Sequence, residues 1–238
     1  MNARLPQTPI DAEQAIGQIA VQLPGSTAIF RRLKLDFCCG GQVSLRQSCA
    51  AKGLDLQAVV DELSTLQRPT ELPDAGTPSE LIDHILARYH EVHRAQLPEL
   101  IRMARRVEAV HRDHSEVPAG LADALEAMEQ ELLSHMHKEE AVLFPMLRAG
   151  GNSFATQPIA MMRHEHNDHG EALEQIARLT HDINPPLGAC NTWRALYAGL
   201  AQLRDDLINH IHLENNVLFP QFEQTATQGC GGGTCGCS

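Results

Sequence analysis

Aromatic residues are scarce, 4% of a 238-residue chain. Val, Ile, Thr and Tyr do not gather in short alternating runs, which argues against a sheet protein. Nowhere do 18 apolar residues follow one another, so no segment is expected to span a membrane. The first residues, MNARLPQTPIDAEQ, lack the apolar stretch of a secretory signal, and a cytoplasmic location is expected. Seven cysteines is an odd count, and their spacing is not that of a disulfide-stapled secreted domain. Positive charge is short as well. The formal net charge is −11, and residues 1–70 hold seven Lys or Arg against six Asp or Glu, so the remainder carries −11 − 1 = −12. A surface of that sign repels phosphate backbones, which excludes nucleic acid as an expected partner.

Apolar residues make up 43%, enough for a sizeable core or for a main domain plus a small one. Long segments rich in Ala, Leu, Glu, Gln and Arg predict an all-α protein. Residues 1–67 read as a small helical domain, with helices recognisable from about residue 10. Asp11 and Gln14 form an expected capping box before AIGQIAVQL, and Asp55 opens a second helix, LQAVVDELSTL. Between them, the paired glycines of DFCCGG (36–41) interrupt any helix. Residues 68–78, with three prolines, read as a linker. Thr77-Pro78-Ser79-Glu80 then starts a helix with an N-cap, a proline at its first position and a glutamate at its third. Four long helices are predicted over about 79–112, 119–148, 156–182 and 190–223, joined by short breaks at SEVP, Ala149-Gly150-Gly151 and NPPLG. That pattern predicts an up-down-up-down four-helix bundle over residues 79–223. Residues 224–238 are too glycine-rich to pack and are expected to be flexible.

An internal repeat carries the chemistry. SHMHKEEAVLFPML (134–147) and NHIHLENNVLFPQF (209–222) match at seven of fourteen positions with an offset of 75. The matches include His135/His210, Glu139/Glu214 and the run Val-Leu-Phe-Pro. His90 and His93 align with His166 and His169 at an offset of 76. The bundle therefore reads as two copies of a helix pair. Each copy offers histidine from its first helix and His-x-x-x-Glu from its second. Residues four apart share one helix face, about 6 Å apart, so His135/Glu139 and His210/Glu214 can reach one metal ion or a pair. His137 and His212 sit about 200° around the helix from those histidines and are expected to face outward. Glu140 is likewise off the face, and its counterpart is Asn215, a poorer ligand. At 1.5 Å per residue, His90 and Glu139 lie roughly 33 and 32 Å from the turn between their helices, so their levels agree. His111 lies roughly 31 Å beyond His90 and cannot share the site. Periodicity does not choose between His90 and His93, nor among His164, His166 and His169.

Two glutamates that each bridge two cations, with four neutral imidazoles, give every ion three or four protein bonds and leave positions open. Histidine and carboxylate suit iron or manganese, whereas a structural zinc site more often uses cysteine. Two ferrous ions with two carboxylates sum to +2, and so do two ferric ions with an added oxo bridge, so the buried charge survives a change of oxidation state. The expected cofactor is two non-haem iron ions with oxo and carboxylate bridges. Cys38 and Cys39 are adjacent and would form a disulfide with each other only under strain. By residue type alone, the plain alternative for them is a buried turn between helices. Cys230, Cys235 and Cys237 lie in the glycine-rich tail, which reads as flexible, with a soft-metal site as the alternative.

RYHEVHRAQLPEL (88–100), SHMHKEEAVLFPML, EHND (165–168) and NHIHLENNVLFP resemble the hemerythrin-like repair-of-iron-centres proteins, also called iron-sulfur cluster repair di-iron proteins. DFCCGG resembles the hallmark of that family's small N-terminal domain. The likeness covers residues 10–223. It implies a hemerythrin-like bundle whose ligands are His90, His135, Glu139, His166, His210 and Glu214. It implies a protein of the nitrosative and oxidative stress response that repairs damaged iron-sulfur clusters by iron donation. The alternatives it carries are nitric oxide scavenging and reduction of nitric oxide to nitrous oxide, with Cys38 and Cys39 as redox thiols. Expected partners are nitric oxide or oxygen as small ligands, iron-sulfur proteins as clients, and a second copy of the chain as a homodimer.

Overall fold

The computed structural model describes residues 10–66, 76–151 and 153–223. Most of the expected linker and all of the expected tail lie outside the described residues. The chain forms two compact units. The first takes in the N-terminal residues together with Ile211–Val217, a short stretch of the last long helix. The second holds the remainder.

The first unit contains α1 (Ile16–Gln22), α2 (Ser26–Arg32), α3 (Leu45–Lys52) and α4 (Leu56–Ser64). Local signals set two of the four starts. The Ser44 hydroxyl accepts the Gln47 N–H ahead of α3, and the Asp55 carboxylate accepts those of Gln57 and Ala58 ahead of α4. The expected capping box at Asp11 does not form. Its carboxylate accepts the Glu13 N–H two residues on, and Ala15 is extended and paired with Ser44. A long-range backbone pairing thus overrides the local cap and delays α1 to Ile16. Ile16, Phe30, Phe37, Leu45 and Leu63 form the core of this unit, each with at most 1% exposure.

Four rods carry the second unit, and the stretch Ile211–Val217 of the fourth belongs to the first unit. The first is α5 (Pro78–Ile85), a wide π turn at Leu86–His90, and α6 (Glu91–Val110). Thr77 and Glu80 cap it reciprocally, as the sequence pattern predicts. The second rod is α7 (Leu121–Lys138), a π turn at Glu139–Leu143, and α8 (Phe144–Arg148). The third is the unbroken α9 (Thr156–Leu179). The fourth is α10 (Asn191–Leu213), a π turn at Glu214–Leu218, and α11 (Pro220–Glu223). α6 packs on α7, and α7 on α9. Leu97, Leu100, Ala104 and Val107 recur at helical spacing on α6 and are buried, as are Leu121, Leu125, Leu132, Leu203 and Leu207. Truncating one of these leucines to alanine costs about 2–5 kcal/mol. The architecture is the all-α bundle that the periodicity predicts. Among the described residues, no helix is long and apolar enough to cross a membrane.

Within the first unit, two glycines stand where chain segments meet. A Cβ on Gly41 would lie 2.6 Å from the Phe37 carbonyl oxygen and 2.5 Å from Asn216 Oδ1. One on Gly17 would lie 2.4 Å from the same Asn216 atom. Gly170, inside α9, has open space around it. Gly41→Ala is therefore expected to destabilise the protein by about 1–3 kcal/mol. Gly170→Ala should stabilise α9 by about 0.5–1 kcal/mol. Urea unfolding followed by circular dichroism reads both, and a neutral Gly41→Ala would refute the close-approach account.

Candidate metal centre

The π turns fall at the residues that the repeat singles out. His90 closes the first, Glu139 opens the second and Glu214 opens the third. In such a turn a backbone bond spans five residues instead of four. The Glu91 N–H bonds the Leu86 carbonyl, and the Phe144 N–H bonds the Glu139 carbonyl. The extra residue shifts the helix face, and such bulges recur at functional sites. Pro145, with no N–H to offer, follows directly after the second wide turn, where the α-helical ladder is already interrupted. Pro220 stands at the same place in the repeat.

Six side chains converge. The ligating atoms of His90, Glu139, His210 and Glu214 all lie within 4.8 Å of one another, as do those of His135, Glu139, His166 and Glu214. All six residues are 0–1% exposed. The two clusters share both glutamates. Glu139 turns one oxygen to each histidine set: Oε2 lies 3.4 Å from His90 Nε2, and Oε1 lies 3.3 Å from His135 Nε2. The Nε2 atoms of His90 and His210 are 3.2 Å apart, and those of His166 and His135 are 3.1 Å apart. Two imidazole nitrogens on one ion, each about 2.1 Å from it and 90–110° apart, would stand about 3.0–3.4 Å from each other. The spacing and the N/O donor chemistry therefore fit a dinuclear cation site.

The backs of two of these imidazoles are held by carboxylates. His90 Nδ1 lies 2.7 Å from Glu140 Oε1, which also accepts a 2.7 Å bond from Arg94. His135 Nδ1 lies 2.9 Å from Glu165 Oε2, while Lys138 donates to the other Glu165 oxygen. A carboxylate at Nδ1 keeps the proton there and leaves the Nε2 lone pair for a cation. Burial pushes the Glu140 carboxyl up. Hydrogen bonds from His90 and Arg94 outweigh it and hold the group below the ordinary carboxylate range. Glu165 behaves alike, with Lys138 and His135 overcoming the effect of burial. Rings fix the imidazole planes: Tyr89 stacks on His210 at 5.4 Å, Phe144 on His90 at 5.7 Å and Phe219 on His166 at 6.1 Å. The repeated Phe-Pro thus packs its phenylalanine on a cluster histidine in each copy.

Other sequence candidates fall elsewhere. His137 is exposed, as its helix angle predicts. His212, expected to face outward too, is 6% exposed and sits edge-on to Phe37 at 5.2 Å. That correction arises because Ile211–Val217 belongs to the first unit, so the outer face of the helix is covered there. His93 and His169 are buried beside the clusters, at ring distances of 5.5 Å from His210 and 4.8 Å from His135. Burial and the neighbouring histidines push both down to about 2, so they are neutral. His111 lies apart from the clusters, 3.2 Å from Cys190. Cys38 and Cys39 lie in the first unit with their sulfurs 3.7 Å apart, beyond the roughly 2.05 Å of a disulfide. Glu140 and Glu165 are the residues that a ligand search along one helix face misses. Their only signal was adjacency: each directly neighbours a cluster residue in sequence.

Glu140→Gln and Glu165→Gln should each weaken metal binding about 10–100-fold while leaving the helix content intact. His137→Ala should change nothing. Competition with a chromophoric chelator measures all three, and unchanged affinity in both glutamine variants would contradict the roles assigned to them.

Comparison with known proteins bears on the same residues. Residues 81–222 match the family model described as the hemerythrin HHE cation binding domain. Residues 12–67 match ScdA_N, described as a domain of unknown function. The iron-sulfur cluster repair protein YtfE of Citrobacter koseri is 48% identical over 211 residues, covering 88% of this chain and 96% of that protein. The protein of the same name from Cronobacter sakazakii is 49% identical, and that of Escherichia coli is 47% identical, with the same coverage.

Proposed function

We propose, from the premise that this chain belongs to the YtfE family of iron-sulfur cluster repair proteins with a hemerythrin-type cation-binding domain, that it holds two iron ions and donates iron to damaged clusters in client proteins. The observation that carries this reading is the sharing of Glu139 and Glu214 by two buried histidine pairs. His90 and His210 would hold one ion, His135 and His166 the other, and the two carboxylates would bridge them. Iron bound there supplies one-electron redox change and open positions for a small ligand.

The remaining work belongs to the chain's own groups. Glu140 and Glu165 keep a proton on Nδ1 of His90 and His135, so both imidazoles present lone pairs at Nε2. The two buried carboxylates balance two of the incoming positive charges, and burial excludes bulk water. The donor set also suits release. A cluster site lined by cysteine offers softer ligands than imidazole and carboxylate do, so iron transferred there gains affinity. Iron is in this sense both resident and cargo. Cys38 and Cys39 join the proposal as redox thiols: oxidation of the pair to a disulfide would release two protons and two electrons, enough to bring two ferric ions to the ferrous state before transfer.

A second reading is nitric oxide binding, or its reduction to nitrous oxide, at the same centre. His93 and His169 favour it. Among the described residues, their Nδ1 atoms have no hydrogen-bond partner, and neither does Nε2 of His93. Unpartnered polar atoms of buried rings are costly, about 1–3 kcal/mol each, and a small polar ligand beside the ions would satisfy them.

Two measurements separate the readings. Reduced, iron-loaded protein mixed anaerobically with a cluster-depleted acceptor should lose iron and restore the acceptor's activity. Changing Cys38 and Cys39 to alanine should slow that recovery. Retention of all iron would reject donation. With nitric oxide, gas-phase nitrous oxide exceeding the amount of protein would indicate turnover, and return of the gas unchanged would indicate a sink.

Metal removal provides a further check on the centre itself. At a free metal concentration of about 1,000 times Kd, binding stabilises the fold by about 4 kcal/mol. The chelated protein should therefore melt at a clearly lower temperature, and Glu139→Ala should lack most of that difference.

A further inference from the structure

A second cluster of donors lies in the first unit. Asp36, Cys38 and Cys39 each present a ligating atom, all within 4.8 Å of one another. We infer that these three side chains form a separate site for a thiophilic divalent transition-metal ion, with its fourth position open to solvent.

The spacing fits one small ion. The sulfurs of Cys38 and Cys39 are 3.7 Å apart, and Cys38 Sγ is 3.3 Å from Asp36 Oδ1. Two thiolates about 2.3 Å from a tetrahedral ion stand about 3.8 Å apart, and a carboxylate oxygen stands about 3.5 Å from either sulfur. Both of those sides match that bite to within a few tenths of an ångström, and the third lies within 4.8 Å.

The triangle is built before any ion arrives. Asp36 Oδ1 accepts the Cys39 N–H at 2.9 Å, and Oδ2 accepts the Gly40 N–H at 2.9 Å. Oδ1 also accepts the Cys38 thiol at 3.3 Å, and loss of that thiol proton on binding frees the lone pair for a cation. The Cys38 carbonyl is pinned from the other side. It accepts from Asn215 at 3.1 Å and from Asn216 at 3.2 Å, and Asn216 also reaches the Phe37 carbonyl at 3.2 Å. Gly41 and Gly17 permit that approach, as described above. Both cysteines are partly exposed and Asp36 is exposed, so an ion can enter and leave.

Electrostatics favours the same assignment. The Cys38 thiol is raised well above its ordinary value by its hydrogen bond to Cys39, then by burial, then by the charges of Cys39 and Asp36. Negative charge converges on the Cys38 sulfur, and a cation placed there relieves it. Binding is then a proton exchange. Two thiols release two protons, two metal–sulfur bonds form, and no electron moves. The site uses none of the bundle's six ligands, so it does not depend on iron being held there; it does take the two thiols that the repair reading uses as electron donors, and metal-bound thiolates are withdrawn from that use.

The test uses the reduced full-length chain with Cys230, Cys235 and Cys237 changed to serine, which removes the tail thiols as competitors. Cobalt(II) titrated anaerobically should fill three sites per chain. One of them should show near-ultraviolet sulfur-to-cobalt charge-transfer absorption. In the Cys38→Ser/Cys39→Ser variant the stoichiometry should fall to two and the band should vanish. Asp36→Asn should keep the band and weaken the site at least tenfold. Absence of the band from the parent chain, or its survival in the double-serine variant, would overturn the assignment. Unchanged affinity in Asp36→Asn would overturn the three-donor form. The two bundle ions lack sulfur ligands and are silent in this band, so failure of the cysteine site and failure of the bundle site read out separately.

Discussion

Two carboxylates buried side by side in a helical bundle are the constraint on which the rest of this protein depends. Glu139 and Glu214 are each 0% exposed. Ionised carboxylates at that depth are costly unless positive charge meets them, and the effective penalty is several kcal/mol per ion. A pair of cations held between the two histidine sets would offset that cost, and both carboxylates lie within reach of each set. Much of the neighbouring structure follows from holding this arrangement. The wide turns bring the glutamates to the histidines, Phe144 and Phe219 fix ring planes, and Glu140 and Glu165 hold the Nδ1 protons.

The repeat explains the symmetry of the centre and also its departures from symmetry. His90 and His166 correspond, as do His135/Glu139 and His210/Glu214, and a phenylalanine packs on a histidine in each half. The supports do not correspond. Glu140 backs His90, but its counterpart Asn215 donates to the Cys38 carbonyl instead. Glu165 backs His135, and the residue that corresponds to it, Tyr89, stacks on His210. In the second copy, Asn215, Asn216 and His212 serve the DFCCGG turn of the first unit. One copy has kept its flanking residues for the metal centre. The other has given them to a different task.

Local and long-range forces left different traces in the sequence. The capping box at Thr77 and the cap at Asp55 were legible because each cap and its partners lie within three residues, and nothing distant competes. Asp11 had the same local signature and failed, because Ala15 pairs with Ser44 across the unit. The helical periods and glycine-proline breaks located all four rods to within a few residues. The family resemblance rested on motifs of this local kind, and the identities of 47–49% bear it out. His212 was misjudged because helix angle says which way a side chain points but not what stands opposite.

Residue identity and spacing alone determined that this chain makes long amphipathic helices, that it repeats, and that His-x-x-x-Glu sets a histidine and a carboxylate on one face twice over. Such facts are encoded within a few turns of backbone, where covalent geometry fixes distance. Spacing left open which histidines of each first helix meet those faces, the family resemblance pointed to His90 and His166, and only the tertiary structure brought those two to the glutamates, set Glu140 and Glu165 behind His90 and His135, and closed Asp36, Cys38 and Cys39 into a triangle. Each of those depends on how rods pack, how a turn folds and where a π turn inserts its extra residue. Packing joins residues that no local spacing rule relates.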